Sequence, residues 1–464
     1  MVTYSIAETL HRLVKESLDS GAAASIGEAE EMFRGFRVGF EISEGDAQDA
    51  NHQAALLTGV ALARRVFLGG VRVSCPAAVP LKLALPVGNT LGEAVVHLGG
   101  ELADFASDDP LVTVGSEPQK RSDRFHIRTV FEGWRGGIVP AHSEIVMCGG
   151  TSVPLAPMLA AALAINECFA FVRSKSAVYG RRAVGLSLWK PSSKVDWMEQ
   201  ASDEPPLRYL PDRLWLIGLG HLGQAFLWAL GLLDYPIASG LSVVLQDVDV
   251  MTPASVSTSV LTDADLVGRK KTRALADWCG ARGFENAIIE RRFKADFSRQ
   301  PEEPSIALCG VDNALARQDL DQVGFDFIVE AGLGRGHLNY RSMRLHTLPG
   351  PRPAASIWKS ADLADSVESR PAYDTLLKDG TLDRCGITLL AGKAVGAPFV
   401  GAVAACLAIA EVLRLLHGGT VYELIELDLQ AVEHRTVVPH PFDFTRLNPG
   451  YVFARQIGAA ARLA

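Results

Sequence analysis

The feature that most constrains the fold is a short apolar run that leads directly into a glycine-rich turn. Residues 214–217 read LWLI, residues 218–223 read GLGHLG, and an apolar stretch at residues 225–233 follows. This order predicts a buried strand, a tight turn and a helix. Glycines at these spacings let the backbone approach a phosphate near the amino end of the helix, which favours anions. A lone pattern of this kind is most often found in dinucleotide-binding domains.

Two further segments extend the pattern. A second apolar run at residues 241–245 ends close to Asp247 and Asp249, and an acid at the end of a second strand suits a ribose hydroxyl. Four cations then occur at residues 268–273, GRKKTR, where a helix is predicted to begin. Positive charge opposes the helix dipole at that end. The turn is therefore either a solvated basic face or a polyphosphate contact, and we favour the latter.

A third predicted strand, at residues 306–309, leads into Gly310 and then Asp312. A carboxylate at the carboxyl end of such a strand lies where α/β sheets bind ligands, so Asp312 is a candidate for holding Mg²⁺ against phosphates. It could equally cap the next helix, and the two roles are compatible. The pattern GxxxxGK[ST] is absent from the sequence, which excludes a P-loop enzyme.

Cys385 stands apart from the other cysteines because it lies in a long polar stretch, at about residues 350–390, that we predict to be a loop. The neighbouring Arg384 favours a thiolate there. Alternatively, Cys385 is only an incidental exposed thiol. The remaining cysteines lie in or beside apolar or small-residue segments and are interpreted as structural: Cys75, Cys148, Cys168, Cys279, Cys309 and Cys406.

Two late segments of the chain resemble each other at a constant offset. Pro154, Ala160, Ala161, Leu163, Ala164, Ile165 and Glu167 recur as Pro398, Ala404, Ala405, Leu407, Ala408, Ile409 and Glu411. Unrelated Ala-rich helices could match by composition, but we favour an internal duplication. Strands are predicted in the first half at Val71–Ser74 and near residues 94–98, with no glycine-rich motif beside them. The predicted organisation is a degenerate domain at 1–190, a proline-containing linker at 191–213 and an active domain at 214–464.

Bulk properties exclude several classes of protein. The net charge of −8 gives no general attraction to nucleic acid or to an anionic membrane. The apolar runs at residues 155–172 and 400–416 contain charged side chains and are interpreted as buried helices. Seven scattered cysteines without a CxxC pair argue against a disulfide framework and against structural zinc. We expect a cytoplasmic protein, because the N-terminus lacks the layout of a signal peptide.

Together these segments resemble the ThiF/MoeB/ubiquitin-activating family of adenylating enzymes, over about residues 213–418. The resemblance implies a fold of two tandem Rossmann-like ThiF-type domains, a degenerate N-terminal copy and an active C-terminal copy, which form a pseudo-dimer. It implies that ATP contacts the glycine-rich turn, that Asp247, with Asp249 nearby, meets the ribose, that Lys271 meets phosphate and that Asp312 holds Mg²⁺. The glycines concerned are Gly218, Gly220 and Gly223.

The segment around Cys385 resembles that of the non-canonical activating enzyme of autophagy, and the compact size resembles activating enzymes of bacterial ubiquitin-like conjugation operons linked to phage defence. The family also has arginines that are missing here. One of these arginines would lie in the segment at residues 255–258, where Thr258 stands in its place. The other, which the partner half contributes, would lie at the position of His52. Arg269, Lys270 or Arg317 are the candidates to replace them.

The function that we expect is adenylation of the C-terminal carboxylate of a ubiquitin-like protein, with Lys271 and Arg269 as catalytic cations. Cys385 would then form a thioester for a ubiquitin-conjugating-type enzyme. The alternatives are a sulfur-carrier adenylyltransferase, a non-catalytic nucleotide-binding scaffold and an NAD-dependent oxidoreductase. The chain is expected to be a pseudo-dimeric monomer or a homodimer, without nucleic-acid or membrane partners.

Overall fold

The computed structural model describes residues 4–147, 152–236, 240–358, 370–378 and 380–455. The helices are α1 Ile6–Thr9, α2 Lys15–Asp19, α3 Ile26–Arg34, α4 Ala50–Ala63, α5 Leu91–His97, α6 Leu155–Ser174, α7 His221–Leu232, α8 Lys271–Arg282, α9 Ala314–Gln318, α10 Gly336–Asn339, α11 Ala354–Ile357, α12 Pro371–Lys378, α13 Arg384–Ala391 and α14 Pro398–Leu416. The strands are β1 Val38–Glu41, β2 Val71–Ser74, β3 Glu101–Leu102, β4 Leu111–Val114, β5 His126–Glu132, β6 Arg135–Pro140, β7 Val184–Ser187, β8 Tyr209–Pro211, β9 Arg213–Ile217, β10 Ser242–Gln246, β11 Glu285–Ile289, β12 Ile306–Cys309, β13 Phe327–Leu333, β14 Ser342–Leu348, β15 Tyr422–Asp428, β16 Thr436–Pro439 and β17 Tyr451–Phe453.

Two mixed sheets in the described residues repeat one strand order. The first runs β3-β2-β1-β4-β5-β6-β7 and the second runs β11-β10-β9-β12-β13-β14-β15, with β16 added at its edge. In each sheet the first five strands pair in parallel and the next two pair antiparallel. The architecture is therefore two α/β units with corresponding strand orders, as an internal duplication would produce.

The two helices that carried the sequence match occupy corresponding places. Helix α6 connects β6 to β7, and α14 connects β14 to β15. Both are long and apolar enough to cross a membrane by length and composition, yet 89% of the apolar window of each is buried within the fold. They pack against each other in one core that spans both halves. The interpretation of these segments as buried helices is confirmed.

The second sheet is positioned by strands that are apolar on both faces. Four of the five residues of β9 are buried, and all four residues of β12 are buried. Trp215 pairs with Val244 of β10 on one side and with Ala307 of β12 on the other. Parallel strands covered by helices on both faces need such continuous apolar runs, which is why the sequence located β9 and β12 correctly.

Three local predictions differ from the structure. The strand predicted near residues 94–98 is wrong, because Thr90 and Glu93 form a capping box that starts helix α5 there. The described part of residues 350–390 contains helices α11, α12 and α13 rather than a continuous loop. The end of the predicted linker at 191–213 forms β8 and the start of β9, and β8 pairs with β17 near the end of the chain.

Buried polar contacts join the two halves. Arg65, at the end of α4, donates hydrogen bonds to the carbonyl oxygens of Val260 and Thr262, at 2.9 and 3.0 Å. Trp228 of α7 donates its indole N–H to the hydroxyl of Thr58 at 3.0 Å. Burial lowers the pKa of the Arg65 guanidinium, so these acceptors are needed to offset its desolvation.

We predict that Arg65→Met destabilises the whole chain by roughly 3 kcal/mol, because it leaves the buried carbonyl groups of Val260 and Thr262 without their charged donor. Thermal unfolding followed by circular dichroism measures the change. Arg34→Met is the control, since Arg34 forms exposed ion pairs with Glu30 and Glu31 and its loss should cost well under about 1 kcal/mol. Equal melting temperatures for wild type and Arg65→Met would contradict the importance of this contact.

Candidate functional site

The candidate site lies where the strand order of the second sheet reverses, at the carboxyl ends of β9 and β12. Open α/β sheets bind ligands in the crevice at such a point. The glycine-rich turn follows β9, and Gly218 adopts φ +84°, a conformation that favours glycine. A Cβ atom on Gly223 would lie 2.1 Å from the carbonyl oxygen of Gly218, whereas one on Gly220 would meet open space. Gly223 therefore allows close helix–strand packing, and Gly218 and Gly220 line the crevice.

A cavity of about 810 Å³ occupies this crevice. Its described lining carries eight Lys or Arg residues and three aspartates. The basic residues are Arg12, Lys271, Arg291, Arg292, Lys294, Arg317, Arg335 and Lys393, and the acidic ones are Asp247, Asp249 and Asp312. This excess of positive charge occurs in a chain whose net charge is −8. A cavity wall of one predominant sign attracts ligands of the opposite sign, so this arrangement favours a polyanion.

Asp247 and Asp249 lie together after β10, as the sequence predicted. The Asp247 carboxylate accepts hydrogen bonds from the backbone N–H of Leu219 and of Asp249, both at 2.8 Å. It thereby ties the glycine-rich turn to the end of β10. The Lys271 ammonium lies 3.6 Å from Asp247 and 3.2 Å from Asp249. The structure thus brings these three residues together on one wall of the cavity.

The basic turn at residues 268–273 divides its cations between different partners. Lys271 is the first residue of α8 and lines the cavity. Arg269 forms an ion pair with Asp277 at 2.6 Å, and Arg273 pairs with Glu290 at 2.9 Å. Lys270 donates to the carbonyl oxygen of Val248. Of the two predicted catalytic cations, the structure therefore places Lys271 on the cavity wall and Arg269 away from it.

Asp312 follows β12 and lines the cavity with an exposed side chain. Capping of the next helix belongs to its neighbour, since the Asn313 side chain accepts from Leu315 N at 2.9 Å. The Asp312 carbonyl oxygen accepts from Arg335 at 3.1 Å. Within the described residues no group of three or more His, Cys, Asp or Glu side chains could hold a metal. A cation at Asp312 would therefore need further oxygen ligands, such as phosphate oxygens.

Arg12 is a cavity residue that no sequence pattern indicated. Its backbone N–H donates to the Ser257 hydroxyl at 3.1 Å, beside Thr258, and its carbonyl oxygen accepts from Gly396 N. One guanidinium nitrogen, Nη2, donates to the carbonyl of Ala7 at 3.0 Å. The other, Nη1, is buried and has no partner among the described residues. Burial lowers the pKa of this guanidinium, and an anionic ligand would supply the missing acceptor.

His52 does not line the cavity. It belongs to α4 of the first half, with its ring nitrogens 2.8 Å from Asp49 and 3.6 Å from Asp46. Arg12 instead brings an arginine from the N-terminal segment to Thr258, one of the two positions where the sequence lacks one. Arg317, a predicted substitute, also lines the cavity. Arg291, Arg292 and Lys294 were missed, although their position after β11, at the carboxyl end of a parallel strand, could have indicated them.

The corresponding crevice of the first sheet contains carboxylates that are hydrogen-bonded within the first half. Asp46 accepts hydrogen bonds from Ser43 at 2.7 Å and from Ser116 at 3.3 Å. A Cβ atom on Gly115, just after β4, would lie 2.7 Å from Asp46 Oδ2. Asp49 also accepts from the first amides of α4. These carboxylates occupy the place that a phosphate would need and would repel it.

Cys385 is exposed near the start of α13, whose N-cap Asp383 accepts from Gly386 N at 2.7 Å. It does not line the cavity, but residues 393–396 immediately after α13 do. From Cys385 to Ala391 the helix rises roughly 9 Å. The thiol thus lies on a helix that leads into the cavity wall without reaching it.

The other described cysteines are less accessible than Cys385. Cys168, Cys279, Cys309 and Cys406 are buried, and Cys75 is half-buried. Burial raises the pKa of all five thiols, that of Cys279 and of Cys309 to about 12. Cys148 lies outside the described residues. The structural interpretation is consistent with the core positions of Cys168, Cys279, Cys309 and Cys406 and with the packing of Cys75 against the core.

The described residues define a two-unit α/β protein with a crevice that is suited to a polyanion. The sequence profile of the BilD C-terminal domain matches residues 210–419, and that of the BilD N-terminal domain matches residues 37–188. The bacterial E1-like protein BilD of Collimonas sp. (strain OK412) is 44% identical over 449 residues, which cover 95% of this chain and 97% of that protein. The chain therefore belongs to the BilD family of bacterial E1-like proteins.

Solved structures provide more distant likenesses. Escherichia coli MccB with ATP has a TM-score of 0.34 and 13% identity, covering 49% of this chain and 63% of that one. PaaA has a TM-score of 0.33 and 15% identity, covering 49% and 64%. This chain thus spans slightly less than two thirds of these proteins. Likenesses at this level assign no function.

We predict that iodoacetamide alkylates Cys385 in the folded protein much faster than the five other described cysteines, because alkylation requires an accessible thiolate. Peptide mapping after short exposure measures the site. Cys385→Ser should lose this fast modification, with unfolded protein as the control in which all cysteines react. Rapid alkylation of Cys309 while Cys385 stays unmodified would contradict the described positions.

Proposed function

We propose that the second half binds ATP in the 810 Å³ cavity and adenylates the C-terminal carboxylate of a ubiquitin-like protein. The observation that carries the proposal is the concentration of eight cations around the carboxyl ends of β9 and β12. Family membership supports the same activity, since the BilD relative is named an E1-like protein. The triphosphate would offset the positive charge that the cavity wall concentrates.

The residues of the cavity divide into groups by the part of ATP that they suit. Gly218 and Gly220 allow the phosphates to approach the start of α7, while Gly223 fixes that helix against β9. Asp247 and Asp249 suit the ribose hydroxyls. Lys271 and Arg12 suit the phosphates, whereas Arg317 also lines a neighbouring cavity. Lys271 would exchange part of its pairing with the aspartates for the nucleotide.

Asp312 is the residue that we assign to Mg²⁺. Its exposed carboxylate on the cavity wall provides one hard oxygen ligand, and phosphate oxygens would provide others. When bound, Mg²⁺ would neutralise charge on the phosphates during the reaction. Arg335, which donates a hydrogen bond to the Asp312 carbonyl oxygen, would keep this segment of the backbone in place.

The adenylation step follows from this arrangement. A carboxylate oxygen attacks the α-phosphorus, an acyl–phosphate bond forms, the bond to the β-phosphate oxygen breaks and pyrophosphate leaves. The cavity cations stabilise the negative charge that develops on the phosphate oxygens, and a fixed cation does so without reorganising during the reaction. The buried, unpaired nitrogen of Arg12 is available for this purpose.

Thioester formation would involve Cys385. Its sulfur attacks the acyl carbon, AMP leaves, and the acyl group is held as a thioester until a ubiquitin-conjugating-type enzyme accepts it. Because Cys385 lies outside the cavity, α13 and the bound adenylate must approach each other before this step. The described helices α12 and α13 pack mainly on α1, α2 and each other, which would permit such a movement.

The two halves would act as a ThiF-type pseudo-dimer with one active site, and the repeated strand order supports this. We propose domains at 1–190 and 214–464, joined by residues 191–213, whose end carries β8 and the first residue of β9. The first half would bind no nucleotide because Asp46 occupies its crevice, and the N-terminal segment would serve the active site through Arg12. A cytoplasmic location and a role in antiviral defence remain predictions.

We predict that Arg12→Met and Lys271→Met each lower ATP–pyrophosphate exchange by about 10²–10³-fold, because each removes a cation from the phosphates. Asp312→Ala should lower it similarly. Arg269→Met is the matched control from the same basic segment, and it should change the rate by less than about threefold because Arg269 pairs with Asp277 away from the cavity. Undiminished exchange in Asp312→Ala would contradict the assigned site.

We further predict a covalent adduct when the chain is incubated with ATP, Mg²⁺ and the ubiquitin-like protein encoded nearest to its gene. Intact mass spectrometry should show an adduct that thiol reductants remove and that Cys385→Ala abolishes. Cys75→Ala is the control that should retain it. Exchange without any adduct would instead favour a sulfur-carrier adenylyltransferase, and nucleotide binding without exchange would favour a scaffold.

A further inference from the structure

A second, smaller cavity of about 300 Å³ adjoins the first. The two share Arg317, Leu333 and Gly334 in their walls, so Arg317 stands at their junction. Strands β13 and β14 form one side of the smaller cavity, and Trp358 closes another. If ATP occupies the larger cavity, a second substrate that reaches the phosphates can approach through this smaller one.

A buried glutamate lies in the wall of the smaller cavity. Glu330 of β13 is 1% exposed, and its Oε1 atom lies 2.8 Å from Nε of Arg317. His346, its cross-strand partner on β14, places Nδ1 3.4 Å from the other carboxylate oxygen, Oε2. Arg317 in turn donates to the carbonyl of Val311, from Nε at 3.0 Å and from Nη2 at 2.7 Å. Glu330 and Val311 thus hold the Arg317 guanidinium at the junction.

The hydrogen bonding of Glu330 is incomplete. Because the Nε–H of Arg317 points to Val311, the short Arg317–Glu330 contact is an ion pair without a hydrogen bond, and Oε1 accepts none from the described residues. A buried carboxylate oxygen without a donor is unfavourable unless a ligand supplies one. The wall therefore offers an acceptor, Oε1, beside a planar cationic donor, Arg317, which suits a carboxylate.

We infer that Glu330 is a positioning residue for the second substrate, a polypeptide whose extended C-terminal segment enters the smaller cavity. Oε1 accepts a backbone N–H of that segment, while the ion pair holds Arg317 where it orients the terminal carboxylate toward the α-phosphate. The inference rests on the proposed adenylation function and adds the group that recognises the peptide backbone. Glu330 would not contact ATP, because it lines the smaller cavity and not the larger one.

Gly332 allows a second, independent perturbation of the same oxygen. A Cβ atom added there would lie 3.3 and 3.4 Å from the terminal nitrogens of Arg317 and 3.5 Å from Glu330 Oε1. Gly332→Ala would therefore place a methyl group against both the Arg317 guanidinium and Glu330 Oε1 while keeping both charges. Because no buried charge is lost, this variant tests the inference even if a substitution of Glu330 prevents folding.

The experiment measures ATP–pyrophosphate exchange by the full chain with the ubiquitin-like protein encoded nearest to its gene, and calorimetric binding of AMPCPP with Mg²⁺. Glu330→Gln removes the negative charge with little change of shape. We expect KM for the ubiquitin-like protein to rise about 10-fold or more, with Kd for AMPCPP unchanged within about twofold. Gly332→Ala should likewise raise KM for the ubiquitin-like protein and leave Kd for AMPCPP unchanged. Glu423→Gln, a matched substitution on β15 outside both cavities, should change neither value.

Two results would overturn the inference. One is a KM that Gly332→Ala leaves unchanged, or that Glu330→Gln leaves unchanged where that variant folds, and the other is a loss of AMPCPP affinity as large as the rise in KM. Failure of the proposed function looks different, because the wild-type chain itself would then show no exchange. Exchange by the wild type with a KM that Gly332→Ala leaves unaltered would overturn the role of Glu330 alone.

Discussion

The close packing of α7 on β9 determines where every other part of the site lies. Gly223 lacks a side chain at the point where a Cβ atom would come within 2.1 Å of the Gly218 carbonyl oxygen, so the helix can begin directly over the end of the strand. Asp247 then fixes the turn by accepting the N–H of Leu219. The amino end of α7 is thereby directed into the crevice between β9 and β12, and an anion bound there meets both helix amides and side-chain cations.

The two halves of this duplicated architecture differ in the charge of their crevices. The crevice of the second sheet gathers cations from segments far apart in sequence, including Arg12 and Lys393, whereas the equivalent place in the first sheet holds the Asp46 carboxylate. The same strand order thus supports opposite electrostatic environments. The halves are also interdependent, since Arg12 belongs to the N-terminal segment but rests on Ser257, and Arg65 donates to carbonyls of the same region.

The strands, turns and helices that depend on local sequence patterns could be predicted from the sequence. Strand β12 and the glycine-rich turn follow from apolar runs and glycine spacing, and the lengths of α6 and α14 follow from continuous apolar stretches. It did not predict α12 and α13, because short amphipathic helices with only a few buried positions, such as Tyr373 and Ile387, leave weak periodicity. Contacts across long sequence separations were also missed, and Arg12 reaches the cavity only through the tertiary fold. Arg269 was wrongly expected at the site because it is close to Lys271 in sequence, whereas in the fold it pairs with Asp277 away from the cavity.

The measurement that most directly tests the account is photo-crosslinking of the full chain with 8-azido-ATP and Mg²⁺, followed by peptide mapping. If the second-half cavity binds the nucleotide, the label falls on peptides that line it, among residues 217–396, and excess ATP protects them. Labelling of peptides around Asp46 and Ser116 in the first half, or labelling that excess ATP does not prevent, would contradict the claim that one cation-lined crevice is the nucleotide site.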